Sequence, residues 1–135
     1  MTIRFLSVWN AIAFAFTLLF WSTVALSGRV PGPWSTTGFL ERGASATTWG
    51  FLLADLAYSL PLLFLAAMGL SKRAAWGWLC AQMANALWIY SMSVILFRDM
   101  FTRVTPGSVL FLPFLAVALA SIPYLWKVRS SFGIA

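Results

Sequence analysis

Four apolar stretches, each close to the length a helix needs to cross a bilayer, restrict this chain more than any other feature. A hydrocarbon core of roughly 30 Å takes about 20 helical residues. The stretches run over residues 5–26, 49–70, 74–97 and 109–126. Composition supports the same reading, because 61% of the 135 residues are hydrophobic and only 9% are charged. A soluble domain of this size carries about a quarter charged residues, so twelve charged side chains cannot cover its surface. Disorder is excluded by the same imbalance, since it requires low hydrophobicity and high net charge. Eleven of the twelve charges fall outside the stretches, and Asp55 alone lies within one. The expected fold class is therefore all-α: one transmembrane domain of four helices, with a long loop over residues 28–48.

The N-terminus has some marks of a secretory signal, with Arg4 before an apolar run and small residues at Ala25 and Ser27. The run of about 22 residues exceeds the roughly 7–15 of a signal core. With Trp9, Asn10 and Trp21 inside it, a retained helix is the expectation. Lys and Arg in short loops set orientation. With a cytoplasmic N-terminus, the inner side holds Arg4, Lys72, Arg73, Lys127 and Arg129, against Arg29, Arg42, Arg98 and Arg103 outside. The bias is small, but Arg4 and the Lys72–Arg73 pair lie beside helix ends, where the rule acts most strongly. Both termini are expected inside, in the cytoplasmic membrane of a bacterium. The short 71–73 connection makes the second and third helices an antiparallel hairpin, and an up-down-up-down bundle follows.

The long loop starts Gly28-Arg29-Val30-Pro31-Gly32-Pro33-Trp34, which its prolines keep from being helical. Two readings stand for it: a partial cap over the bundle, or a loosely ordered segment. Pro61, Pro113 and Pro123 fall inside spans, where neighbouring helices can satisfy the backbone groups they free. Tryptophans 34, 49, 76, 78 and 126 lie near span ends and read as an interfacial belt. Trp88 is too deep for that explanation.

Asp55 is the leading candidate for a functional role. It lies about six residues into the second span, roughly 9 Å along the axis at 1.5 Å per residue. Ionisable residues within spans face the bundle interior or a cavity and suggest a site by default. Tyr58 and Ser59 follow at i+3 and i+4, sharing its face of an α-helix. At the same depth on the third helix lie residues 88–92. The expected ligand-binding or proton-handling cluster is thus Asp55, Tyr58, Ser59, Trp88, Ser91 and Trp21. The alternatives are that Asp55 only ties helices together, or pairs with Arg98 or Arg103 near the surface. Asn10, Gln82 and Asn85 form a second polar set, read as interhelical ties in preference to a groove for a lipid or quinone head group.

Other chemistry finds little support. There is no histidine, and the lone Cys80 sits in an apolar setting. No metal or cofactor is expected, and no HExxH, GxSxG, Walker or dinucleotide-binding motif is present to mark catalytic residues. The net charge of +6 spreads over both faces, which suits anionic lipid head groups and forms no nucleic-acid patch. Expected partners are membrane lipids, an apolar small molecule, and either a second copy or a larger membrane assembly. The leading functional expectation is a non-enzymatic protein that binds an apolar or amphipathic molecule near Asp55, or serves as a small subunit of an assembly. The second is a dimeric transporter coupled to protons or cations through Asp55. The third is a lipid-modifying enzyme.

Overall fold

The computed structural model describes residues 1–102 and 107–134. Within these the chain is all-helical, with four helical segments long and apolar enough to cross a membrane. The elements are α1 (Ile3–Ser27), α2 (Phe39–Ala54), a π-helical turn (Asp55–Ser59), α3 (Leu60–Ser71), α4 (Ala75–Thr102), α5 (Gly107–Lys127) and a closing 3₁₀ turn (Arg129–Phe132). Arg103, considered above as a partner for Asp55, lies outside the described residues.

Each end of α1 is set by local chemistry. Thr2 caps the start, its hydroxyl accepting from the Phe5 amide at 3.1 Å, and Gly28 stops the helix at φ +64°. Glycine reaches that left-handed region without steric cost.

Helix α2 begins ten residues before the expected boundary at Trp49, which corrects the loop to residues 28–38. Hydropathy locates the part of a helix suited to lipid, and Phe39–Thr48 is too polar to register there. It is nevertheless a good helix start. Glu41 stands in the first turn, where a negative charge suits the helix dipole, and no proline interrupts. Together α2, the π turn and α3 form a continuous rod of 33 residues. At 1.5 Å per residue that is about 50 Å, well beyond a hydrocarbon core.

Two apolar clusters hold the bundle together. One gathers Leu6, Leu70, Trp78, Leu125 and Phe132, joining α1, α3, α4, α5 and the 3₁₀ turn. We call this the turn end, since it lies beside the Lys72–Ala74 connection. Trp78 belongs to it, which corrects its assignment to an interfacial belt. It is 9% exposed, and its indole N–H donates to the Leu125 carbonyl at 2.9 Å. That carbonyl is among the last four of α5, which have no partner within the helix. The second cluster, at mid-bundle, contains Ala13, Leu63, Ala84 and Phe114.

Helices α3 and α4 meet at glycine. A methyl group built on Gly69 would overlap the Gly77 backbone, and one on Gly77 would overlap Gly69. Small residues let helix backbones approach closely, which is the main source of contact between helices in lipid. The connection itself places Arg73 at φ +52°, in the left-handed region.

Candidate functional site

The π turn decides the geometry around Asp55. Pro61 has no amide hydrogen and its ring would crowd the carbonyl four residues back in an α-helix. The backbone answers by widening just before it. The Leu60 amide donates to the Asp55 carbonyl, five residues back instead of four. Single π turns of this kind are frequent at functional sites.

Widening changes which side chains share a face. Four residues now come close to one full turn, so Ser59 stands over Asp55 and its hydroxyl donates to Oδ1 at 2.6 Å. Three residues fall short of a turn, which swings Tyr58 away. Tyr58 is 63% exposed and does not border the cavity next to Asp55, so its placement beside Asp55 is corrected. The expectation rested on α-helical spacing, and that spacing does not hold across residues 55–59.

The other carboxylate oxygen is held from α1. The Trp21 indole N–H donates to Asp55 Oδ2 at 2.7 Å, and Trp21 is itself 8% exposed. Indole nitrogen is a donor only, so this contact fixes Oδ2 as an acceptor. Both distances lie within the normal range for N–H···O and O–H···O hydrogen bonds.

Beside this arrangement lies a cavity of about 260 Å³. It is larger than a 150 Å³ cavity that holds benzene, and slightly below the 300–1,000 Å³ typical of drug-sized ligands. Asp55, Ser59, Trp21, Trp88 and Ser91 all border it, so five of the six expected cluster members meet in one place. Sequence reasoning missed Thr17, Phe20, Phe51, Met92 and Phe111, which also line it. Apolar residues inside apolar spans carry no local signal of facing a cavity. Thr17 is 4% exposed and its hydroxyl oxygen has no hydrogen-bond partner. A threonine buried in the first span was a legible hint.

The cavity reaches the loop, where Val30 borders it, and the part of α2 that carries Thr48. The loop folds back on α2 through the Pro31 carbonyl, which accepts from the Ser45 hydroxyl and from the Trp49 indole at 3.2 Å. These contacts order the loop against α2, while Trp34, Phe39 and Leu40 stay exposed. Arg98 also borders the cavity, with Nε and Nη2 donating to Asp99 Oδ1 at 2.9 and 2.8 Å. Away from the loop the cavity stops at Trp88 and Phe111, whose rings pack against each other and against Phe114 and Phe16.

The second polar set divides. Gln82 does tie two helices, donating to the Ile122 carbonyl of α5 at 3.4 Å. Asn10 does not, because its amide donates to Leu6 of its own helix at 2.8 Å, which corrects the expectation for that residue. The Asn85 amide nitrogen is buried without a partner, next to a second cavity of about 10 Å³. Asn10 and Trp88 border that cavity as well. Ser7 was not singled out, yet its hydroxyl links α1 to the Ala67 carbonyl of α3 at 2.7 Å.

Among the described residues no group of three side chains is arranged to hold a metal ion. Glu41 and Asp99 do not line the cavity, so Asp55 is its sole carboxylate. No protein-family model, curated protein or solved structure matches the chain.

Proposed function

We propose that this chain is an integral membrane protein that binds a small amphipathic molecule in the cavity beside Asp55. Its four spans cross alternately as an antiparallel up-down-up-down bundle, with both termini cytoplasmic and the 28–38 loop outside. A bacterial inner membrane is the setting that the basic residues beside the helix ends favour. The exposed side chains support insertion: Val8, Leu19, Leu53, Leu79 and Phe97 are each more than half exposed, a surface that water does not tolerate in such density.

One observation carries the binding function. A carboxylate is held by two donors at the edge of an apolar cavity, on a helical turn widened to place it there. A residue that only tied helices together would need neither the cavity nor the second donor. An enzyme that moves protons on a lipid would need a second acid or base, and among the described residues no other carboxylate, tyrosine or lysine lines the cavity with Asp55. Transport would need a route past the turn end, which Leu6, Leu70, Trp78, Leu125 and Phe132 fill.

Two measurements test these statements. Extracted in native-lipid discs and examined by native mass spectrometry, the protein is expected to carry a small-molecule adduct that Asp55→Asn loses. A bare chain, or identical adducts on both proteins, would overturn ligand binding; a stoichiometric protein partner instead would point to an assembly subunit. For the topology, single cysteines at Ser35 and Ser71 in a Cys80→Ser background are labelled with an impermeant maleimide. Ser35→Cys is expected to react in intact cells, and Ser71→Cys only after permeabilisation. The reverse pattern would invert the orientation.

A further inference from the structure

Charge accounting in the cavity narrows the ligand class, given that the cavity binds a ligand at all. Asp55 has two neutral donors, Trp21 and Ser59, and no ion pair with any cationic side chain among the described residues. Arg98, the cationic group on the cavity wall, has Asp99 beside it as counter-charge at 2.8 Å. Both Asp55 and Arg98 face the cavity, but Arg98 has its own counter-charge in Asp99 and Asp55 has none among the described residues. A carboxylate within an apolar helix at the edge of an apolar cavity gains from a counter-ion.

The rest of the wall suits a cation with apolar substituents. The rings of Phe20, Trp21, Phe51, Trp88 and Phe111 border the cavity. Aromatic rings attract ammonium groups electrostatically, more strongly when desolvated, and clusters of rings recognise quaternary ammonium ligands. An inorganic cation would want a shell of oxygen ligands. Here Asp55, Ser59, Ser91, Thr17 and Thr48 supply few oxygens among many carbons. Thr17, buried and without a partner, adds one hydroxyl acceptor for an ammonium hydrogen or a ligand hydroxyl.

We infer that the site takes a small organic cation, an alkyl- or aryl-substituted ammonium, as the counter-ion of Asp55. The ammonium sits against the carboxylate oxygens, and its apolar substituents pack against the rings. The volume of about 260 Å³ limits the ligand to something between a substituted benzene and a small drug.

Three probes of similar size and different charge form the test, used on the full chain in lipid discs. These are benzyltrimethylammonium, its uncharged carbon isostere neopentylbenzene, and phenylacetate. Radiolabelled benzyltrimethylammonium is expected to bind saturably, with at least ten-fold higher affinity than neopentylbenzene. Asp55→Asn is expected to weaken the cation at least ten-fold and to leave the neutral isostere unchanged. Equal affinity for the cation and its isostere in the unaltered protein would overturn the charge inference while leaving an apolar-ligand site standing. So would a cation affinity that Asp55→Asn does not change. Preference for phenylacetate would overturn it in favour of an anion at Arg98. Failure of all three probes to bind would remove the ligand-binding function along with it. The comparison of probes on the unaltered protein needs no variant to fold.

Discussion

Gly77→Leu is expected to abolish recovery of folded protein from detergent-solubilised membranes. The first carbon of any side chain at this position meets the Gly69 backbone, not a side chain that can rotate away. Core overpacking ordinarily costs about 1–3 kcal/mol because side chains and backbone shift in part. Here the obstacle is the neighbouring helix itself, and moving it would part α3 from α4 beside the turn end. Leu70 and Trp78, next in sequence to these glycines, belong to that cluster and would separate with it. Gly50→Leu is the matched control, since a side chain there has open space around it and should leave yield unchanged. Size-exclusion profiles of the two variants make the comparison. A monodisperse Gly77→Leu protein with the stability of the unaltered chain would mean that the helices do not meet at these glycines.

The contact between Trp21 and Asp55 is expected to show a coupling free energy of about 2 kcal/mol in a double-mutant cycle. Hydrogen bonds to charged groups contribute about 1.5–3 kcal/mol, against an average of about 0.6 for polar ties between membrane helices. The cycle compares Trp21→Phe, Asp55→Leu and the pair, using reversible unfolding in mixed micelles. Trp21→Phe alone also loses ring contact, and Asp55→Leu alone also orphans Ser59, so the cycle rather than either single change isolates the bond. A coupling near 0.6 kcal/mol would reduce Asp55 to an ordinary helix tie. A value near 2 would establish a carboxylate oriented from two helices, as a binding site requires.

Much of the architecture was legible without coordinates. Hydropathy and charge marked four spans, and the helices observed cover each of them. Asp55 stood out as the lone charge within a span, and Trp21, Ser59, Trp88 and Ser91 followed from depth and spacing. What failed did so for identifiable reasons. Tyr58 was misplaced because one π turn altered the angular register that i+3 spacing assumes. The start of α2 was missed because a window tuned to lipid-soluble residues does not detect a helix that continues beyond them. Asn10 was read as a tie between helices, but its amide donates to the Leu6 carbonyl of its own helix.

The number of helices long and apolar enough to cross a membrane, and the position of the single acid within the apolar stretches, are properties of residues added along one dimension, and the sequence by itself determined them. The rotation of each helix about its axis is different in kind, because it depends on how closely neighbouring backbones approach. The glycine contact between α3 and α4 and the π turn before Pro61 set that rotation here. Only the tertiary structure therefore decided that the Asp55 carboxylate meets the Trp21 indole, and that five aromatic rings from α1, α2, α4 and α5 border one cavity beside it.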